Sequence, residues 1–128
     1  MDSRAHDALS ARLIELAGFQ AFAVGGSALL AARYAYPDIG LIGLTDMVAG
    51  IRDIAAATCI LFIADADDGY GDVKSVARTV VLYEASGVGG LLLEDQRRER
   101  RQQRAEAAPA TKTEALSEQH GGSLCRIA

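Results

Sequence analysis

Two uninterrupted apolar runs constrain this chain more than any other feature: C-I-L-F-I-A at residues 59–64 and V-G-G-L-L-L at residues 88–93. Neither alternates with polar residues, so each reads as a short strand buried on both faces, as in parallel sheets. A helical pattern separates them. Asp72 can cap it, Val73, Val76, Ala77, Val80 and Tyr83 mark its inner face, and Gly87 suits its end. The same alternation runs upstream. Asp7 can cap a helix over residues 8–17, with Leu9, Leu13 and Leu16 at the spacing of a buried stripe and Gly18 beyond it. Residues 20–24 read as a short strand ending in Gly25-Gly26-Ser27, and residues 28–36 as a brief helix broken by Pro37. Thr45 is a good cap for a helix to about Thr58, with Met47, Val48, Ile51, Ile54 and Ala55 on one face. The order α-β-α-β-α-β with short connections predicts an α/β fold of parallel strands joined by right-handed crossovers.

A chain of 128 residues, half of them hydrophobic, is long enough for one domain with a real core. Its charge is uneven. Residues 1–96 carry 6 Lys/Arg against 13 Asp/Glu, whereas residues 97–128 carry 7 against 4. The acidic part argues against a nucleic-acid-binding core, and a bound cation would relieve some of its self-repulsion. Cys59 and Cys125 form no metal-ligand spacing and no disulfide framework, so a reducing cytoplasm is the expected setting. No apolar run reaches membrane-spanning length, and Met1-Asp2-Ser3-Arg4 does not read as a signal peptide. From Arg97 onward, R-R-E-R-R-Q-Q-R gives way to an Ala/Thr/Glu/Gly segment without an apolar stripe. Residues 1–96 are therefore expected to form the folded unit, and residues 97–128 a charged tail of low order.

In parallel α/β folds ligands bind outside the carboxyl ends of the strands. Every distinctive polar group of this chain falls there: Gly25-Gly26-Ser27 after one strand, Asp65, Asp67 and Asp68 after the next, Glu94 and Asp95 after the last. Strand alternation would put Asp65 and Asp67 on one side and Ala66 on the other. Adjacent carboxylates repel unless protonated or bridged by a cation, and an all-oxygen donor set favours Mg²⁺ or Mn²⁺ over zinc. The loop lacks the glycine and terminal glutamate of an EF-hand. Taken alone, D-A-D-D-G is equally well a solvated loop that caps the helix from Val73. Gly25-Gly26 alone is a tight turn, and Asp38 alone a turn residue after proline.

The pieces together are more specific. D-A-L-S-A-R-L-I-E-L-A-G-F at 7–19, G-G-S-A-L-L-A at 25–31, P-D-I-G-L at 37–41 and T-D-M at 45–47 are followed by I-A-D-A-D-D-G-Y-G at 63–71, R-T-V at 78–80, Y-E-A-S-G-V at 83–88 and L-L-E-D-Q at 92–96. In this order they resemble the isocitrate lyase/phosphoenolpyruvate mutase superfamily, on the branch of methylisocitrate lyase, dimethylmalate lyase and carboxyphosphonoenolpyruvate mutase. The resemblance implies a partial (β/α)8 TIM barrel, roughly from the first helix to the fourth strand. It implies a Mg²⁺-dependent lyase or mutase that cleaves a C–C or P–C bond beside a carboxylate through a pyruvate-type enolate. It also implies roles by position. Asp65 and Asp67 match the metal motif, Asp38 and Glu94 match acids that position metal-associated water or substrate, and Gly25, Gly26 and Ser27 match the loop that holds the substrate carboxylate. The implied partner is a small carboxylic acid, with no nucleic acid or membrane, and with self-association into a homo-oligomer.

The resemblance ends at Gln96. Where the family carries a catalytic loop of Lys-Arg/Lys-Cys-Gly-His, this chain has R-R-E-R-R-Q-Q-R, and Cys125 matches nothing, so the catalytic acid–base residue is unassigned. The opening M-D-S-R-A-H-D reads as too short and polar for a first strand, which leaves three strands. The expectation is a gene truncated or frameshifted near codon 96, whose product is inactive alone and unstable unless it self-associates. The alternative, from another class, is a non-catalytic remnant that binds metal weakly or associates with a full-length homologue. A small receiver-like domain with an acidic pocket is a third reading, disfavoured by the ordered run of motifs.

Overall fold

The computed structural model describes residues 3–38 and 40–94. Expectations for the Asp95-Gln96 strand end, the Arg-rich segment, the low-order tail and Cys125 lie outside these residues. Among the described residues the chain forms β1 (Arg4–Ala5), α1 (Ala8–Leu16), β2 (Ala21–Val24), α2 (Gly26–Tyr34), α3 (Leu44–Ala57), β3 (Leu61–Asp65), α4 (Val73–Ala85) and β4 (Gly90–Leu92). The sheet is parallel throughout, in the order β1-β2-β3-β4, so each strand pairs with the next one in sequence after a helical crossover. Consecutive strands of a (β/α)8 barrel are wound in this way.

Among the described residues there are four strands where the sequence predicts three. Arg4 and Ala5 pair with Ala23 and Val24, and Ser3 O accepts from Ala23 N at 3.0 Å. The flanking polar residues concealed this strand because a two-residue ladder needs only backbone groups and one small side chain. Ala5 supplies that side chain and is buried.

The helices start and stop for identifiable reasons. Asp7 caps α1, accepting from Ser10 N at 2.7 Å, while Ser10 Oγ accepts from Asp7 N at 3.1 Å. α2 begins at Gly26, two residues before the expected start, and ends with Ala35 in the left-handed region ahead of Pro37. For α3 the cap is Gly43 rather than Thr45, with the Asp46 carboxylate returning to Gly43 N at 3.4 Å. Asp72 caps α4 as expected, accepting from Lys74 N and Ser75 N.

Phe22 and Phe62 are register partners whose rings stack at 5.3 Å between centroids. With Val24 and Ala64 they face Leu29, Met47, Val48, Ile51, Ile54 and Tyr83, and the helices meet the sheet in this one cluster. The expected α3 face is therefore correct. The opposite sheet face is not covered by the described residues: Leu61 is 61% exposed, and Ile63 and Asp65 are half-buried. This corrects the reading of residues 59–64 as a strand buried on both faces, because all described helical packing lies on one side.

Two helix faces are also corrected. Leu9, Leu13 and Leu16 on α1 are 67%, 56% and 69% exposed, while Ala11 is buried and Ile14 packs on the core. The period is right but the side is reversed, since small Ala11 admits close approach of α1 to α3. On α4 the expected face is right in part: Tyr83 is buried and Val76 half-buried as expected, but Val73, Ala77 and Val80 are exposed, and Thr79 and Ser86 complete the buried face. Hydroxyl–carbonyl hydrogen bonds make burial of these polar residues acceptable, which hydrophobic periodicity does not register. Among the described residues no helix is long and apolar enough to cross a membrane.

Two stability measurements check this packing. Ile54→Ala should cost about 2–5 kcal/mol by chemical denaturation, as for a buried aliphatic truncation. Leu13→Ala should change stability by only about 0.5 kcal/mol, as for an exposed site. A second check uses pH. Hydrogen bonds from the Ser75 amide and hydroxyl hold the Asp72 carboxyl below its ordinary 3.8. A depressed carboxyl stabilises the fold above its unfolded value and loses that contribution as pH falls through its folded value. Asp72→Ala should therefore be less stable than the parent at pH 7, with the difference shrinking toward zero as pH drops below 3.8. A difference that persisted in full at low pH would contradict the charge-assisted cap.

Candidate active site

The carboxyl ends of β2 and β3 lie side by side, and the turns that leave them build one pocket. The start of α2 contributes Gly26 and Ser27, the α2–α3 loop contributes Asp38, and the end of β3 with its following turn contributes Asp65, Asp67 and Tyr70. Leu30, Ile42 and Met47 form its apolar lining. Among the described residues, its ionisable side chains are thus three carboxylates and one phenol.

Asp65 is held at both oxygens. Its Oδ2 accepts from Gly26 N at 3.2 Å and its Oδ1 from Asp67 N at 2.9 Å. The first contact sets a carboxylate against the amino terminus of α2, where exposed N–H groups and the helix dipole favour negative charge. It also explains Gly26, since a Cβ there would come within 2.9 Å of Asp65 Oδ2.

Beyond Asp65 the chain leaves the strand conformation. Asp67 has φ 51° and Tyr70 φ 63°, both left-handed, with Gly69 between them at φ 82°. Such backbone costs about 1 kcal/mol or more per non-glycine residue and persists only when its surroundings enforce it. Asp67 Oδ1 accepts from Asp68 N, and Asp68 Oδ1 accepts from Tyr70 N, both at 2.9 Å. Asp67 thus reaches the pocket through a tight turn rather than through strand alternation, while Ala66 turns into the core as expected.

Behind this turn stand two phenols. Tyr83 Oη donates to the Asp65 carbonyl at 2.9 Å, which uses its one proton, so Tyr70 is the donor in the 3.2 Å contact between the two hydroxyls. Burial raises both phenols, Tyr70 far above its ordinary value and Tyr83 to about 12, with Asp65 and Asp67 adding to both. Both are neutral donors at physiological pH.

Of the residues picked out from sequence, the pocket gathers Asp38, Asp65, Asp67, Gly26 and Ser27. Gly25 is the cap residue of α2, one position outside the lining. Glu94 is exposed and also outside the lining, but its N–H donates to the Asp67 carbonyl at 2.7 Å, so its backbone abuts the site. Among the described residues no three carboxylate, imidazole or thiolate side chains form a ready-made metal cluster. The donor chemistry nevertheless fits a hard cation: carboxylate oxygens and a hydroxyl, with one carboxylate fixed in place by two amides. Sequence reasoning missed Tyr70, Thr79 and Tyr83 as parts of the site. The available signal was their place inside D-D-G-Y-G, R-T-V and Y-E-A-S-G-V.

The turn yields a direct test. A Cβ on Gly69 would sit 2.4 Å from Val76 Cγ2 at a φ unsuited to L-residues. Gly69→Ala should destabilise the chain by about 1–3 kcal/mol, measured by thermal or urea unfolding.

Known proteins resemble this chain in sequence and in fold. The family model described as Phosphoenolpyruvate phosphomutase matches residues 3–122. The 2,3-dimethylmalate lyase of Eubacterium barkeri is 44% identical over 92 residues, covering 72% of this chain and 32% of the relative. A probable 2-methylisocitrate lyase of Corynebacterium glutamicum is 49% identical over 88 residues, covering 69% and 28%. The chain thus spans about a third of the length of the curated relatives it matches. Among solved structures, a 2,3-dimethylmalate lyase superposes with TM-score 0.71 at 37% identity, covering 77% of this chain and 35% of that one. A phosphonopyruvate hydrolase in complex with oxalate and Mg²⁺ superposes with TM-score 0.65 at 37% identity, covering 73% and 33%.

Proposed function

This chain belongs to the phosphoenolpyruvate phosphomutase family, whose members are lyases and mutases, and from that premise we propose that its pocket holds a divalent cation beside a small carboxylic-acid substrate. The reaction the resemblance implies is cleavage of a C–C or P–C bond next to a carboxylate, through a pyruvate-type enolate, and this chain alone, with no acid–base residue assigned, is expected to bind rather than turn over. One observation carries this reading: Asp38, Asp65 and Asp67 share a pocket with the amino terminus of α2, at the carboxyl ends of parallel strands.

In this reading Asp65, Asp67 and Asp38 hold Mg²⁺ or Mn²⁺, with Glu94 next to Asp67. The bound cation supplies positive charge beside the enolate oxygen as negative charge develops there. The chain's own groups do the remainder of the positioning. Gly26 N–H is committed to Asp65, so the Ser27 amide and hydroxyl receive the substrate carboxylate at the start of α2. Leu30, Ile42 and Met47 keep that side of the pocket apolar, which strengthens each electrostatic contact within it. Support for the metal comes from the oxygen-only donors and from the Mg²⁺-and-oxalate complex of the related phosphonopyruvate hydrolase.

Calorimetric titration with Mn²⁺, alone and with oxalate, tests this. The parent chain should bind both, and Asp65→Ala should weaken Mn²⁺ binding by about tenfold or more, as for loss of a charged ligand. Equal Mn²⁺ affinity in parent and variant would sink the assignment. Turnover of 2,3-dimethylmalate or 2-methylisocitrate in Mg²⁺, abolished by chelator, would extend the reading from binding to catalysis.

A further inference from the structure

Two of the motif fragments, R-T-V at 78–80 and Y-E-A-S-G-V at 83–88, lie on α4 and its end, away from the pocket lining. Each contributes one fully buried residue with a hydroxyl, Thr79 and Tyr83. Four positions apart, they share a helix face. Tyr83 Oη donates to the Asp65 carbonyl at 2.9 Å. Thr79 Oγ1 lies 3.0 Å from the Gly69 carbonyl and 3.0 Å from the Ser75 carbonyl of its own helix. The Tyr83 bond and the Thr79 contact, whose one proton is shared between the Gly69 and Ser75 carbonyls, therefore grip the backbone at both ends of residues 65–69, the segment that carries Asp65, Asp67 and Asp68. Its left-handed residues require enforcement from outside, which these bonds share with the β4 end, where Ala66 N donates to Leu92 O and Glu94 N to Asp67 O.

We infer that Thr79 and Tyr83 are positioning residues, whose hydroxyls clamp the carboxylate turn to α4 and so set where Asp65 and Asp67 stand. For its link to a cation the inference rests on the proposed function. For the clamp itself it rests on geometry alone. Phenylalanine at 83 or valine at 79 would fill the same space without the hydrogen bond, whereas serine at 79 would keep the hydroxyl.

The test compares Tyr83→Phe, Thr79→Val and Thr79→Ser with the parent, all as the full 128-residue chain. Two readouts are taken: amide hydrogen exchange, and affinity for Mn²⁺ alone. Thr79→Val should speed exchange of the Asp67 and Gly69 amides by about tenfold, and Tyr83→Phe by about tenfold or more, since it also removes the acceptor of the Tyr70 hydroxyl. Amides of β2 and α3 should change far less, and Mn²⁺ affinity should fall about tenfold. Thr79→Ser should restore both values toward the parent. Exchange that is unchanged, or raised equally across the fold, would overturn the clamp. A loosened turn with undiminished Mn²⁺ affinity would overturn the positioning role. If the parent itself failed to bind Mn²⁺ while the turn loosened selectively, the metal reading would fall and the clamp would stand. Should Tyr83→Phe not fold, the Thr79 pair decides the matter.

Discussion

The register of β2 against β3 is the constraint on which the remaining structure depends. With Val24 opposite Ala64, the chain leaves both strands at the same level, and the start of α2 meets the end of β3. Gly26 N then reaches Asp65 Oδ2, and Asp38 and Asp67 open onto the same space. The Phe22–Phe62 stack holds this register from within the core. A slip of β3 by one residue would turn Phe62 out of the core, break its stack on Phe22 and remove Asp65 from α2, because strand side chains alternate with period two. Core packing and pocket geometry are therefore one specification rather than two.

The pocket concentrates acidic side chains, and backbone amides answer them locally. Asp65 accepts from Gly26 and Asp67, Asp67 from Asp68, and Asp68 from Tyr70. This chain of short contacts turns the backbone through conformations that side-chain-bearing residues seldom adopt, and it aims two carboxylates into one cleft. The strain is local, while the bonds that contain it come from α4 and from the end of β4. Such a division suits a binding site, since the reactive groups can be exact while the strand beneath them remains regular.

Much of this was legible in the sequence, and the failures have physical causes. The α3 face was readable because Met47, Val48, Ile51 and Ile54 are large, apolar and all point to one core. The Leu9, Leu13 and Leu16 stripe has an equally good period, but periodicity does not say which side of a helix finds a partner. Small Ala11 decided that question through close approach to α3. β1 left no hydrophobic trace, as backbone pairing of two residues demands almost nothing of side chains. The pocket acids were identified from spacing and resemblance, and their convergence follows from parallel strands ending together. From sequence Tyr83 reads only as a core residue of α4, and Tyr70 and Thr79 do not stand out, because a sequence does not reveal which carbonyl or hydroxyl lies opposite a buried hydroxyl.

The strand order also governs how the fold can assemble. Ala5 and Val24 are register partners 19 residues apart, and Ala64 and Leu91 are 27 apart, whereas Val24 and Ala64 are separated by 40. Loop closure becomes costlier by about 0.6 kcal/mol for each doubling of length, so joining β2 to β3 carries the largest entropic penalty in this sheet. The flanking β-α-β units can form from nearer contacts while that junction is still open. The cleft needs both sides of the junction. It is consequently among the last features to acquire its native shape, and a chain caught before that closure would hold most of its helices and none of its site.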